Sequence, residues 1–164
     1  MKVPFIGSSG VIGQFGGYEE LQELDWDAYR ERHGEHFRLD RVLEAEGDDV
    51  NRYKASKQAD VLMLFYLFSA DQLKRIFERL DYAFDPACIP ANIGYYASRT
   101  SHGSTLSRLV HSWVFSRSDR KRSWQEFQVA LTSDYRDVQG GTTPEGIHLG
   151  AMAGTIDMLQ RCYT

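Results

Sequence analysis

The sequence predicts an all-α domain assembled from paired inner and outer helices. Three observations carry that prediction. A segment apolar on every side is followed by one with an apolar face and a charged face, and an inner–outer order of helices recurs further along the chain. Almost nothing alternates with the two-residue period of a half-buried strand. The polar connectors also recur evenly: 45 residues separate Lys57 from His102 and 46 separate His102 from His148, the interval of stacked helical pairs.

Taken in order, residues 1–17 are Gly-rich and read as irregular chain lying over the surface. The next stretch, YEELQELDWDAYRERHG, has helical spacing at Leu21, Leu24 and Ala28 in an acidic, breakable context. Residues 34–58 mix a short helical stretch (Arg41–Glu46) with turn signals at Gly47–Asp49. ADVLMLFYLFS (59–69) is apolar all round, and its Leu, Met and Ala content favours an inner helix over a buried strand. DQLKRIFERLDYAF (71–84) sets Leu73, Ile76, Phe77, Leu80 and Phe84 on one stripe of an outer helix. A second inner helix follows over 104–116, with Leu106, Leu109, Val110, Trp113 and Val114 on one face. A second outer helix over 122–134 points Trp124, Phe127 and Leu131 inward. Pro144 suits the first turn of a last helix that runs to about Tyr163.

Composition narrows the function classes. The 164 residues are 42% hydrophobic and 26% charged with a net charge of −4, a globular balance with no basic excess for nucleic acid. RSDRKR (117–122) reads as a solvated turn between helices. The longest apolar run, VLMLFYLF, is too short to span a bilayer, and the N-terminus lacks a signal-peptide core. Cys88 and Cys162 fit neither a disulfide framework nor a zinc pattern, so two free thiols in a reducing, cytoplasmic setting are expected. His33 and His36 have ligand-like i, i+3 spacing but stand in a charged stretch, and no metal is expected there. His111 reads as a packing residue.

If the inner helices run parallel, their N-termini collect at one rim. Three polar segments then meet: RYKASKQAD (52–60), YYASRTSHGSTLS (95–107) and QGGTTPEGIHLG (139–150). Helix starts offer unpaired N–H groups and a positive dipole end, a ready anion site where Gly, Ser and Thr let backbone approach. Lys57 and Arg99 add charge, and His102 and His148 add switchable donors. The plainer reading makes the Ser and Thr residues helix caps, and makes Gly146, Gly150 and Gly154 a packing stripe at i, i+4 and i+8.

The segments KASKQADVLMLFYLF, GYYASRTSHGSTLS and YRDVQGGTTPEGIHLGAMAGT, in that order, resemble glycoside hydrolase family 65 from about Gln14 to the end. That family contains inverting phosphorylases of maltose, trehalose and kojibiose, along with α-glucoside hydrolases. The resemblance implies an (α/α)6 barrel of which residues 18–164 form the C-terminal part, about three hairpins. The family's β-sandwich domains and early barrel helices are not matched.

The resemblance also assigns roles. Lys57 and Gln58 correspond to a pair that bonds glucosyl hydroxyls. Ser101, Gly103, Ser104 and Thr105 correspond to a phosphate loop, and His148 to a phosphate ligand. The general-acid Glu belongs to a segment not found here, so the chain alone is expected to be inactive. Inorganic phosphate is the co-substrate and no cofactor is implied. The expected partners are a glucose-containing disaccharide and phosphate, without nucleic acid or membrane. An inverting hydrolase needs a carboxylate base, and residues 98–107 hold no Asp or Glu, which favours phosphate as nucleophile. Glu145 is a weak alternative base, equally suited to a helix dipole. A hydrolase fragment and a non-catalytic sugar- or phosphate-binding or interaction remnant stay open. An open half-barrel would expose inner faces such as 61–68, so self-association, a complementing chain or a closed bundle is expected.

Overall fold

The computed structural model describes residues 3–34, 37–138 and 143–163. Among them are eight α-helices and one two-stranded sheet. The strands are β1 (Phe5–Ile6) and β2 (Val11–Ile12), paired antiparallel with Phe5 opposite Ile12. They lie in the stretch expected to be irregular, and they are not mere surface cover. Val11 and Ile12 are buried. The Ile12 N–H donates to Asn92 Oδ1 at 2.8 Å, and the Tyr96 hydroxyl donates to the Ile12 carbonyl. These two bonds satisfy strand groups that a two-residue ladder would leave bare.

A satellite unit follows, made of α1 (Trp26–His33) and α2 (Leu39–Ala45) around Leu24, Trp26, Leu39 and Leu43. The main core begins with α3 (Asp60–Leu67), the expected inner helix, which buries Val61, Leu62 and Phe65. Then α4 (Ala70–Arg79) starts on a capping box between Ser69 and Gln72. It stops five residues short of Phe84, because Asp81 turns left-handed at φ 60°. Phe84 still reaches the core by stacking on Phe77 at 4.7 Å, whereas Leu80 is left exposed.

The helix that sequence patterning misses is α5 (Ile89–Ala97), which carries Pro90 in its first turn and Gly94 inside. A first-turn proline needs no N–H, and Asn92, Ile93, Tyr96 and Ala97 bury one face of it. The second inner–outer pair is α6 (Thr105–Phe115) and α7 (Arg120–Thr132). Ser112 lies against Ser123 and Arg108 against Glu126, so the two helices are antiparallel. The face of α7 turned to α6 is Ser123, Glu126, Phe127 and Ala130, while Trp124 and Leu131 point outward, against expectation. The reason is close packing. Ser112 Oγ donates to the Ser123 carbonyl at 2.9 Å and Ser123 Oγ returns a bond to the Ser112 carbonyl at 2.8 Å, an approach that large side chains would block.

The last helix, α8 (Leu149–Met158), ends in a π-helical turn over Leu159–Tyr163. Pro144 sits in a separate 3-10 turn, Thr143–Glu145, rather than in the first turn of α8. Gly146 (φ 141°) also lies before the helix, so the glycine stripe reduces to one contact. A Cβ on Gly154 would stand 2.1 Å from Leu109 Cδ2, while one on Gly150 would meet nothing.

Helix direction decides where the connectors lie. Lys57 touches Gly103 before the starts of α3 and α6, and Tyr66 packs edge-on against Trp113 near their ends. These helices therefore run parallel. Leu109 against Gly154 and Ser112 against Tyr163 give α6 and α8 the same sense. The starts of α3, α6 and α8 face one end of the molecule.

Candidate functional site

At that end the first two connectors are bonded side by side. The Ser56 N–H donates to the Arg99 carbonyl and the Ser101 N–H to the Ser56 carbonyl, both at 2.9 Å, forming a parallel bridge from Ser56 to Thr100. The stem of Lys57 crosses Gly103, where a Cβ would stand 3.0 Å from Lys57 Cγ. Glycine there gives the exposed Lys57 room over the loop. A cavity of about 250 Å3 opens beside them, lined by Gln14, Tyr18, Tyr53, Lys57, Ser101 and Gly103 among others. Gln58 is half-buried next to it in sequence, ahead of fully buried Ala59.

The inner helices α3, α6 and α8 start on Ala59, Ser104 and His148, none of which makes a side-chain cap bond. The outer helices α4 and α7 are capped by Ser69 and Asp119. Ser104 thus occupies the cap position of α6 with its hydroxyl unused for capping, while Thr105 is buried. The start of α3 receives a cap from afar: Gln14 Oε1 accepts from the Asp60 N–H at 2.8 Å, and Gln14 Nε2 donates to Ser56 Oγ at 2.6 Å. Uncapped starts leave N–H donors for an outside acceptor.

His102 adopts the left-handed region at φ 51°. Its Nδ1 is 3.1 Å from Ser107 Oγ, and its ring meets that of His111 edge-on at 4.5 Å. His111 is 1% exposed, and its Nδ1–H donates to the Ser107 carbonyl at 2.8 Å. Burial, the largest cause, pulls its pKa down to about 4, so at neutral pH the ring is uncharged. This agrees with a packing role, one that also backs the loop before α6.

The third connector is organised separately. The His148 N–H donates to Asp134 Oδ2 at 2.9 Å, and its ring Nδ1–H donates to Asp134 Oδ1. These bonds hold the Asp134 carboxyl below the usual carboxylate range, the side-chain bond from His148 leading. They fix the ring with Nε2 as its remaining polar atom. His148 does not line the cavity beside Lys57. The side chain of Glu145 and residues 139–142 lie outside the described residues, as does His36; His33 stacks on Tyr29.

One expected cation is not available to the rim. Arg99 forms a two-point ion pair with Glu23, at 3.0 and 3.2 Å, and lies over the Tyr95 ring at 3.8 Å. Sequence reasoning also missed Gln14 and Asp134. Gln14 acts 46 residues away and Asp134 14 residues before its histidine, separations with no periodic signal.

The profile described as "Glycosyl hydrolase family 65 central catalytic domain" matches residues 1–157. The chain belongs to glycosyl hydrolase family 65. The match begins at the N-terminal hairpin, ahead of the Gln14 boundary that the motifs suggest. This family 65 chain is 60% identical over 164 residues to an uncharacterized glycosyl hydrolase of Mycobacterium tuberculosis, covering all of this chain and 12% of that protein. It is 38% identical over 156 residues to trehalose 6-phosphate phosphorylase of Lactococcus lactis, covering 94% of this chain and 20% of the enzyme. With kojibiose phosphorylase of Escherichia coli the identity is 28%, over 93% of this chain and 19% of that enzyme. A solved structure described as "Putative kojibiose phosphorylase from human microbiome" superposes with a TM-score of 0.65 at 25% identity, over 97% of this chain and 19% of its own. The chain therefore spans a fifth or less of these relatives. No helix among its described residues is long and apolar enough to cross a membrane.

Proposed function

We propose that this stretch forms the sugar- and phosphate-binding side of an inverting α-glucoside phosphorylase, as part of an (α/α)6 barrel. The observation that carries the reading is the bonded pair of connectors, which sets Lys57 across Gly103 beside Ser101 at the uncapped start of α6.

In this reading Lys57 and Gln58 hold glucosyl hydroxyls. Ser101, Gly103, Ser104 and Thr105 present backbone and hydroxyl donors to inorganic phosphate, the co-substrate. His148, oriented by Asp134, adds a donor through Nε2 when protonated. A phosphate oxygen attacks the anomeric carbon from the face opposite the departing sugar. The glycosidic bond breaks, its oxygen takes a proton, and the products are β-glucose 1-phosphate and the free sugar. The acid is supplied by a segment outside this stretch, and Glu145 is the weak candidate for a base if water replaces phosphate. Holding a charged nucleophile in line is the main demand on these residues.

The cavity lining supports phosphate over water. Its carboxylate is Asp40, bound at two points by Arg38 at 3.0 and 2.7 Å. That contact, the leading cause, lowers the Asp40 pKa, which makes it a poor base for water.

The test joins this stretch to the remainder of a family 65 domain and supplies trehalose 6-phosphate, trehalose and kojibiose in turn. The higher identity to the Lactococcus enzyme supports trying trehalose 6-phosphate first. Glucose 1-phosphate should form only with phosphate present, and Lys57→Met should lower kcat/KM about 100-fold or more, the loss expected when a substrate-orienting contact is removed. Glucose release that ignores phosphate would favour the hydrolase.

A further inference from the structure

A second cavity, of about 130 Å3, lies where α1, α5, α6 and α7 meet, and Thr100, Ser101 and His102 form part of its wall. Ser101 lines both cavities, so one loop separates them. Four residues in the wall of the second, Trp26 and three arginines, carry side-chain N–H groups that only donate, while Thr100, Ser101 and His102 can donate or accept. The wall includes Arg30, Arg108 and Arg122 with one carboxylate, Glu126. Glu126 is committed to Arg108 at 2.8 Å, with both side chains nearly nine-tenths buried. The partner of Arg30 is Asp27 at 3.6 Å, whose own side chain is fully in solvent. Arg122 rests on the Phe115 ring at 4.2 Å, and among the described residues it forms no ion pair.

Trp26 also lines this cavity. It is 9% exposed, and its Nε1–H is buried without a hydrogen-bond acceptor. Indole N–H and guanidinium groups only donate, so such a lining selects a ligand made of acceptors. Its surplus positive charge asks for an anion. The volume matches about four waters at roughly 30 Å3 each, room for a tetrahedral oxyanion.

We propose that this cavity is a second oxyanion site, sized for a phosphate group and separate from the site beside Lys57, with Trp26 Nε1–H, Arg30 and Arg122 as its donors. The ligand is inorganic phosphate or the phosphoryl end of an ester whose remainder stays outside.

The tryptophans, three in all, give a direct readout through their indole N–H signals in the nitrogen-15-labelled chain. Inorganic phosphate, titrated at constant ionic strength, should move the Trp26 signal saturably. Arg122→Gln should weaken the apparent Kd at least fivefold, and Arg30→Gln should do the same if the first variant fails to fold. His148→Ala, which removes a phosphate ligand of the proposed phosphorylase site and lies outside this cavity's lining, should leave the Kd within twofold, which separates the two sites. A parallel titration with glucose 6-phosphate distinguishes the sources: saturation by phosphate alone identifies the free ion, and saturation by both identifies any accessible phosphoryl group. An unmoved Trp26 signal, or arginine variants that fold and bind phosphate unchanged, would overturn the proposal.

Discussion

His111 and Asp134 respond to acid in different windows. An unfolded His111 takes a proton below about 6.5, whereas burial delays this to about 4 in the folded chain. The unfolded state therefore binds more protons between those values, and stability falls as pH drops through that window. A gap of this size corresponds to about 3 kcal/mol. His111→Phe should flatten the slope of melting temperature between pH 6.5 and 4. Asp134 acts in the same direction over a lower window: its folded pKa lies below the ordinary one, so its contribution is complete above the ordinary carboxylate range and disappears as pH falls through the folded value. Asp134→Asn should lower the melting temperature at pH 7, and the difference from the unmodified chain should shrink below about pH 4, where the native carboxylate is protonated too. Equal melting temperatures at pH 7 would remove Asp134 as an anchor for the His148 connector.

Elements test the argument through their ends and their closest contacts. Gln14→Ala removes the acceptor for the first turn of α3 and should cost about 1 kcal/mol in chemical denaturation, as loss of a cap does. Gly154→Ala forces a methyl group against Leu109 and should cost about 1–3 kcal/mol. Gly150→Ala in the same helix meets open space and should be neutral or stabilising by up to about 1 kcal/mol. A similar cost for both would deny that α6 and α8 pack through Gly154. The sequence revealed α3 by its all-round apolarity, α4, α6 and α7 by their periodicity, and the last helix, α8, by its apolar run after Pro144. Missing α5 has a physical cause, since a proline and a glycine weaken its local signal while tertiary burial of Ile93 and Tyr96 maintains it. The face of α7 was misread because its buried stripe uses Ser123 and Glu126, which count as polar until their partners on α6 are known. At the site, the connectors stood out by composition and spacing. The bonds that organise them, from Gln14, Glu23 and Asp134, depend on long-range folding.

At the scale of the whole molecule, α3 buries Val61, Leu62 and Phe65 and packs on α5 and α6, while Leu67 at its end is exposed. Other exposed apolar side chains are Ile147, Leu149, Ile156 and Leu159 in and beside α8, and Trp124 and Leu131 on α7. Velocity sedimentation of the isolated stretch should show association that Ile156→Lys combined with Leu159→Lys reduces, since contiguous apolar patches of this kind drive contacts. A monomer that binds no hydrophobic dye would show that the α8 surface is not adhesive.

The backbone bonds joining Ser56 to Arg99 and Ser101 tie two segments 45 residues apart into one mechanical unit. A residue inserted or deleted in either would slip the other out of register. Lengths there can change only in concert, and a transplant of substrate preference between relatives would have to carry both together.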